Sequence, residues 1–442
     1  MFTKKHEHAH ESTTKVLYKN AHLIDPASRL EILTNGYLIT NGAKIEDFGC
    51  ETNFGDEKRF DKIVDCKGML LTPGLIDIQV HFRDPGQTNK EDLISGSKSA
   101  VSGGITSVVC QPNTKPTIDN VMVLDYLKYK AEHEAYCNIF TYACITKGMQ
   151  GVEIADIQEM AEHPIVCGFT DDGLPVMNAN LMRSAFEFSK LTGKVIAQHA
   201  EDLNLSNKGC MNEGFTSSKL GLRGIPNVSE SVIVERDIAL LRQFGGRYHV
   251  LHVSTKEALD AIKRAKKEGL SVTCEVSPHH LVLTDECIET CGTNAKMNPP
   301  LRSKKDIEAL QDALCDGTID AIATDHAPHD FASKEKPMQE ATFGIVGVET
   351  MLPIALEFYH AGRISLLDLF ATMTNRAADV VGIKKGRIEK GSDADLTLID
   401  LHHKWTIDTS KFHSKSKNSP FGGRTVKGRA IKTIVGGVIV YS

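Results

Sequence analysis

Short apolar runs rich in β-branched residues alternate with segments of helical hydrophobic period between about residues 75 and 325. This alternation is typical of βα units that wind around a parallel sheet. Eight such runs favour an α/β fold, a closed (β/α)8 barrel of the TIM type, and an open doubly wound sheet is the competing interpretation. The predicted strands are 75–80, 105–110, 138–144, 165–169, 195–199, 248–252, 272–275 and 319–324.

The two ends of the chain have a different pattern, in which short strands are separated by Gly, Asn and Asp turns without intervening helices. We expect both termini to build one small β-sandwich module. The predicted organisation is a disordered tail over 1–14, the module over 15–72 plus 386–442, and the barrel over 73–385. Two polar segments, 330–338 and 409–424, are predicted to be a mobile loop and a surface loop.

The composition of the 442 residues is that of an ordinary globular protein, with 51 Lys and Arg against 57 Asp and Glu. A formal net charge of −6 offers no positive field for phosphates, so we expect neither nucleic acid nor a membrane as a partner. No run of about 20 apolar residues could span a bilayer. The net charge favours a small molecule as the partner. Eleven cysteines, odd in number and mostly within apolar runs, are typical of reduced thiols and predict a cytoplasmic protein.

Side chains that can bind metal ions occur at the carboxyl ends of five predicted strands, where a (β/α)8 barrel collects its chemistry. Imidazoles and carboxylates that converge there could hold one or two Zn²⁺-like ions, which lower the pKa of a bound water towards about 7. One carboxylate could bridge two ions while another shuttles a proton. A single histidine is more simply a structural residue, but five such strand ends together favour a metal centre. The residues are His81, Asp171 with Asp172, His199, His252 and Asp325.

Six sequence motifs follow one another along the predicted barrel. They are QVHFRDPG at 79–86 with KE at 90–91, QPNT at 111–114, TDDG at 170–173, HVST at 252–255, NPPLR at 298–302 and ATDHAPH at 323–329. In this order they resemble the motifs of the class I dihydroorotases, a branch of the amidohydrolase superfamily. KGSDADL at 390–396 resembles the superfamily's return to the β module. The motifs are more specific for the family than for the activity.

The resemblance implies a role for each metal-capable residue. His81 would bind the first metal ion, and Asp325 would complete that site and act as the general acid/base. Asp172 would be the carboxylate that bridges two ions, in the position where other relatives use a carboxylated lysine. His199 and His252 would bind the second ion. Which of the two adjacent aspartates faces the site rests on this resemblance alone.

The resemblance also implies how substrate binds. Arg83 and Asn113 match positions that bind the substrate carboxylate, and Asn298 and His329 match positions that hold the ring. Arginine suits its position because its planar fork pairs with a carboxylate through two hydrogen bonds. A surface ion pair of Arg83 with Asp84 or Asp92 is the competing interpretation. The implied reaction is the reversible cyclisation of N-carbamoyl-L-aspartate to L-dihydroorotate in pyrimidine (UMP) biosynthesis, by metal-activated hydroxide with Asp325 as proton shuttle.

Gln79 departs from the family pattern, which has His-x-His where this chain has Gln79-Val80-His81. An amide oxygen is a weaker donor to Zn²⁺ than an imidazole nitrogen, so the first metal site should be weakened. Three outcomes stay open: an enzyme with one Zn²⁺ ion, a two-metal site in which Gln79 coordinates or hydrogen-bonds, or loss of catalysis.

Two further functions remain as alternatives. A catalytically silent homologue could be a structural partner of aspartate transcarbamoylase, although burying so many charged groups without metal or substrate would be costly. Another cyclic amidase, of the dihydropyrimidinase or allantoinase type, would use a carboxylated lysine where this chain has TDDG at 170–173. A homodimer and a transcarbamoylase partner are both compatible with the resemblance.

Overall fold

Residues 1–4, 14–50 and 56–442 are described by a computed structural model, and the larger part of them forms a barrel of eight parallel strands in chain order. The first and last strands nearly close the circle, because Val80 forms a parallel bridge with His326 and the His81 amide donates to the His326 carbonyl oxygen at 2.8 Å. The predicted barrel is confirmed, and the open doubly wound sheet is wrong. The strands are Leu75–Val80, Ile105–Cys110, Asn138–Ala143, Val166–Phe169, Val195–Gln198, Tyr248–Val250, Val272–Val276 and Ala321–Ile322.

Most of the helices bury apolar side chains in the hydrophobic core around the barrel. In Lys256–Lys267, Leu259 and Ile262 lie on the buried face, and the Thr255 side chain caps the first turn by accepting from the Ala258 amide at 3.3 Å. Within the described ranges, none of the helices combines the length and apolar character that a membrane span requires. The other α-helices are Leu93–Ser102, Val121–Glu134, Ile157–Ala161, Ala179–Thr192, Leu203–Ser206, Phe215–Leu220, Val228–Phe244, Pro278–Val282, Cys287–Cys291, Lys304–Cys315, Phe331–Lys334, Met351–His360, Leu366–Ala371 and Asn375–Val381.

Both ends of the chain share a second, mostly antiparallel sheet, as the turn-rich pattern predicts. Leu70–Pro73 pairs on one side with the N-terminal strand Lys15–Asp25 and on the other with the C-terminal strand Leu396–Thr406. The small module from both termini is therefore confirmed, while its predicted boundaries stay predictions. Its remaining strands are Leu30–Asn41, Lys44–Cys50, Lys62–Asp65, Thr425–Val435 and Val438–Tyr441.

The first residues of the chain pair with its last strand. Phe2 bridges Tyr441, and the Thr3 amide donates to the Val440 carbonyl oxygen at 3.0 Å. These residues differ from the predicted disordered tail because the edge of the last strand offers them backbone partners. Residues 5–13 of that tail lie outside the described residues.

The predicted surface loop 409–424 is wrong for its middle part. Residues 412–421, which we call the C-terminal strap, lie against the loops that follow the first and last barrel strands, with Ser414 and Asn418 buried. The Ser414 hydroxyl donates to the buried Glu91 carboxylate. A composition rich in Ser, Lys and Gly predicts a solvated loop, but the short polar side chains of Ser414 and Asn418 satisfy buried polar groups once the chain has folded.

The predicted mobile loop 330–338 is anchored. It contains the short helix Phe331–Lys334, and the buried Lys334 ammonium donates to the carbonyl oxygens of Lys296 and Gly344 at 3.3 and 3.0 Å. Polarity alone is a poor sign of mobility here, because the groups that bind Lys334 belong to other parts of the chain.

Candidate active site

A cavity of about 340 Å³ opens at the carboxyl ends of the barrel strands. Eight of the nine residues predicted for the site line it, and the ninth, His252, lies behind Asp172 with its Nε2 at 3.3 Å from Asp172 Oδ1. The tertiary structure thus brings all nine together from distant parts of the chain. The eight lining residues are His81, Arg83, Asn113, Asp172, His199, Asn298, Asp325 and His329.

Asp172 is shared by two groups of potential metal ligands. In the first group His81, Asp172 and Asp325 have their ligand atoms within 4.8 Å of one another, and in the second Asp172, His199 and His252 do. Asp172 turns Oδ2 to His81 Nε2 at 3.2 Å, and Oδ1 to His199 Nδ1 at 3.5 Å and His252 Nε2 at 3.3 Å. One oxygen for each group is the arrangement of a carboxylate that bridges two ions.

The neighbouring aspartate has a structural role. Asp171 Oδ1 accepts from the backbone amides of Ile145 and Thr146 at 2.9 and 3.1 Å, and its Oδ2 accepts from the Thr146 hydroxyl. It therefore ties the loop after the third barrel strand to the loop after the fourth. Successive side chains at a strand end point in different directions, which leaves Asp172 alone to face the cavity.

Three of the site residues have left-handed backbone conformations. The φ angles are 59° at Arg83, 32° at His252 and 48° at Asp325. A residue other than glycine pays about 1–3 kcal/mol for such a conformation, so it persists where the surroundings fix it, often at functional sites. Here the chain leaves its strand at each of these positions and turns the side chain towards the cavity.

Gln79 also belongs to the metal region. Its Nε2 donates to Asp172 Oδ2 at 3.2 Å, the oxygen that His81 also contacts. Among the described residues, nothing pairs with the buried Gln79 Oε1 or with His252 Nδ1. An unsatisfied amide oxygen beside imidazoles and carboxylates fits a site whose polar groups are completed by a cation or by water. The residues present therefore fit a divalent metal.

The protonation of the site reflects its shared charges. Burial lowers the pKa of His81, but hydrogen bonds to Asp172 and Asp325 outweigh burial and raise that pKa to about 9. Burial also lowers the pKa of His199, but hydrogen bonds to Asp172 and Glu201 outweigh burial and raise that pKa to about 10. Despite its own burial, the imidazoles around Asp172 hold the pKa of its carboxyl well below the usual range. Protons on these imidazoles thus neutralise the carboxylates of the site, and a bound cation would displace them.

Arg83 is buried at one end of the cavity beside His329. Its Nε donates to the Pro328 carbonyl oxygen at 3.3 Å, and its Nη2 lies 3.4 Å from His329 Nε2. Burial, followed by the charge of Arg83, lowers the pKa of His329 to about 2, so this imidazole is neutral. The surface ion pair is wrong, because Arg83 is buried. Asp84 pairs with Lys130 at 2.6 Å and Asp92 with Lys415 at 2.5 Å instead.

Asn113 and Asn298 hold the histidines of the two ligand groups. Asn113 Oδ1 lies 2.9 Å from His81 Nδ1, and Asn298 Nδ2 lies 3.3 Å from His199 Nε2. Glu201, which sequence reasoning missed, accepts from Asn298 Nδ2 at 2.9 Å and lies 3.0 Å from His199 Nε2. Its spacing of two residues from a strand-end histidine was the available signal.

Comparison with known proteins identifies the family. The family model described as "Amidohydrolase family" matches residues 70–440, so the chain belongs to the amidohydrolase family. The barrel, the small module and the shared carboxylate agree with this membership, and the metal dependence typical of the family agrees with the two ligand groups.

Proteins named dihydroorotase match nearly the whole chain. That of Ehrlichia canis (strain Jake) is 54% identical over 429 residues, 97% of this chain and 95% of the relative. That of Geobacter metallireducens is 45% identical over 427 residues, 96% and 99% of the two chains. Among solved structures, the L-hydantoinase (dihydropyrimidinase) from Arthrobacter aurescens has a TM-score of 0.86 at 27% identity, covering 97% of this chain and 96% of its own.

These relatives confirm the class of enzyme that the motifs predict. The chain falls among the dihydroorotases of the family, hydrolases that act on a cyclic amide. The silent structural partner and the dihydropyrimidinase-type amidase are not favoured, although the hydantoinases share the fold.

Proposed function

We propose that this chain is a zinc-dependent dihydroorotase, which opens the ring of L-dihydroorotate to N-carbamoyl-L-aspartate and closes it in reverse. The observation on which the proposal depends is that Asp172 joins two histidine-containing ligand groups in one cavity, while a buried arginine, Arg83, lines the same cavity. A hydrolytic metal centre beside a carboxylate-binding cation suits a cyclic amide that has a carboxylate.

Two sets of side chains would hold zinc. His199, His252 and Asp172 offer two imidazoles and a carboxylate, and His81 and Asp325 offer the remaining donors with the other oxygen of Asp172. When bound, zinc lowers the pKa of water and polarises the ring carbonyl. Because Gln79 replaces an imidazole, we expect the set of His199, His252 and Asp172 to bind zinc more tightly than the set of His81 and Asp325.

Asp325 would move the proton in the reaction. Its Oδ1 lies 3.0 Å from His81 Nε2, at the mouth of the cavity. In ring opening, Asp325 takes a proton from the attacking water as the new C–O bond forms, and gives it to the ring nitrogen as the C–N bond breaks. Ring closure uses the same carboxyl with the two roles exchanged.

The substrate would be oriented by the residues of the opposite wall. Arg83 stays cationic near pH 7, although burial lowers its pKa to about 10, and can pair with the substrate carboxylate. The side-chain oxygen of Asn113 contacts His81 Nδ1, so the amide nitrogen of Asn113 is available to donate to the substrate carboxylate. The neutral His329 and Asn298 face the ring from the sides of the cavity.

The test is the ring opening of L-dihydroorotate, followed by ultraviolet absorbance, with protein stripped of metal and resupplied with zinc. We expect activity that requires zinc, and saturation at one or at two equivalents gives the number of essential ions. Dihydrouracil and allantoin serve as matched substrates without the carboxylate and should react far more slowly. No activity at any zinc level, with the fold intact, would reject the proposal.

Localisation and partners are further proposals. None of the 11 cysteines, all of them among the described residues, forms a disulfide, which suits a reducing cytoplasm. A homodimer and a complex with aspartate transcarbamoylase are tested by measuring the mass of the purified chain alone and mixed with transcarbamoylase.

A further inference from the structure

We propose that Asn418, in the C-terminal strap, is a positioning residue of the substrate site. It holds the tripeptide 327–329 and, through it, the side chains of Arg83 and His329. The inference rests on the proposed function, because these two side chains are the ones assigned there to the substrate. It links a residue of the far C-terminal region to the chemistry at the barrel mouth.

The side-chain amide of Asn418 is buried and fully used. Its Oδ1 accepts from the His329 backbone amide at 3.2 Å, and its Nδ2 donates to the carbonyl oxygens of Ala327 and Gly344 at 3.0 and 2.9 Å. Its own carbonyl oxygen accepts from the Val346 amide at 2.9 Å. The oxygen and the nitrogen of this amide therefore both form hydrogen bonds with the loop that bears His329.

The tripeptide needs these contacts because it lies buried outside the regular pairing of the sheet. Asn418 donates to the Ala327 carbonyl and accepts from the His329 N–H. The Pro328 carbonyl between them accepts from Arg83 Nε at 3.3 Å. Proline has no N–H of its own. A buried peptide group left without a partner is destabilising, so the loop conformation depends on the amide.

The position of Arg83 depends on the same peptide units. Its Nε binds Pro328, and its Nη2 lies 3.4 Å from His329 Nε2, so the two substrate-binding side chains and Asn418 form one connected set. The His329 ring is packed closely against the backbone at Gly344, because a Cβ on Gly344 would lie 2.6 Å from His329 Cδ2. Asn418 has no described hydrogen bond to a metal-ligand residue, so its loss should affect substrate binding and spare metal binding.

The experiment compares Asn418→Ala with Ser419→Ala, a buried neighbour whose hydroxyl accepts only from the Phe421 amide within the strap. We expect Asn418→Ala to raise the KM for L-dihydroorotate about 10- to 100-fold, with kcat within about threefold and zinc content unchanged. Ser419→Ala should leave all three unchanged. An unchanged KM in Asn418→Ala, or equal losses in both variants, would overturn the proposal. If Asn418→Ala does not fold, Asn418→Asp, which keeps the size but lacks the N–H donors, replaces it.

A double-mutant cycle separates positioning from general weakening of the fold. If Asn418 acts through Arg83 and His329, Asn418→Ala should raise KM by a smaller factor in the His329→Ala background than in wild type. It should raise KM by less than about threefold once Arg83 and His329 are both replaced by Ala. Fully multiplicative effects would contradict the proposal.

Hydrogen exchange gives a readout that needs no activity. The backbone amide of His329 should exchange faster in Asn418→Ala and not in Ser419→Ala, because it donates to Asn418. If the wild-type chain fails to open dihydroorotate, the proposed function fails, and the exchange rate alone then decides the positioning role. An unchanged rate would overturn it.

Discussion

At the level of single residues, we expect Gln79 and Asp172 to set the number of metal ions that the proposed site binds. Gln79 donates to Asp172 Oδ2, the oxygen that the His81 group would need for a cation. A hydrogen bond from an amide and a bond to zinc compete for this oxygen. The second group, with Asp172 Oδ1, His199 and His252, lies outside this competition.

Gln79→His should therefore increase zinc binding. Imidazole nitrogen is a better zinc donor than an amide oxygen, and the substitution removes the donor to Asp172. We expect the zinc content after dialysis to rise towards two per chain, measured by elemental analysis. Gln79→Met, which removes the amide without adding an imidazole, is the matched control and should gain less zinc than Gln79→His. Equal zinc content in Gln79→His and wild type would contradict this account.

Arg83→Lys should weaken substrate binding although it keeps the charge. Lysine lacks the planar fork and cannot donate both to Pro328 and to a carboxylate in the same geometry. We expect KM for L-dihydroorotate to rise about 10- to 100-fold, from the loss of charge-assisted hydrogen bonds. Arg29→Lys, at an exposed ion pair with Asp368, should leave steady-state kinetics unchanged. A KM within twofold of wild type for Arg83→Lys would contradict the role assigned to the guanidinium.

At the level of elements, the strands supply the scaffold and the loops after them supply the geometry. The loop after the first strand bears Arg83 and then turns at Gly86, whose φ is +88°. A Cβ there would lie 1.8 Å from the Lys115 carbonyl oxygen, so this loop and the one after the second strand are packed too closely for any side chain.

Gly86→Ala should destabilise the protein much more than Gly68→Ala. Both glycines have positive φ, but the space around a Cβ at Gly68 is open among the described residues. We expect Gly68→Ala to cost about 1 kcal/mol, for backbone strain alone, and Gly86→Ala more than about 3 kcal/mol, because backbone must shift. Chemical denaturation of both variants measures the difference. Similar losses of unfolding free energy would show that the loops relax easily.

At the level of the whole molecule, metal, protons and stability are linked. The pKa values of His81 and His199 are raised to about 9 and 10 in the metal-free fold. The unfolded value is about 6.5, so these protons stabilise the metal-free protein fully below about pH 6.5, and the stabilisation is lost as pH rises through the two folded values. Zinc must displace the same protons, so its affinity rises with pH.

The increase in Tm produced by zinc should therefore grow from about pH 6 to about pH 9, because the competing protons leave and the metal-free protein loses its own stabilisation. Thermal melts with and without zinc at a series of pH values measure this growth. A zinc-induced shift of the same size at both ends of the range would contradict the linkage.

The barrel and most of the candidate site could be predicted because their signals are local. Hydrophobic period places the strands, and the rule that barrel chemistry lies at strand ends selects His81, His199 and Asp325 among many polar residues. The eighth strand is the weakest case: the predicted 319–324 shrinks to Ala321–Ile322 because the chain turns early towards Asp325.

What could not be predicted depends on partners that are distant in the chain. Asp171 and Asp172 are identical in the sequence, and only the loop at Ile145 and Thr146 decides that Asp171 turns away from the cavity. The C-terminal strap around Asn418 has the composition of a solvated loop. It is buried only because it packs against the barrel mouth, where Asn418 binds His329, some 90 residues away in the chain.

Residue pattern alone thus determined the strands, their order and the metal-capable strand ends, since these follow from side-chain period and residue chemistry within a few positions. Tertiary structure alone decided which carboxylate faces the metal site, that Gln79 donates to it, and that the C-terminal strap supports the substrate loop. The physical reason is that a buried polar group must find a partner, and the chain positions of available partners are set only when the whole fold has packed.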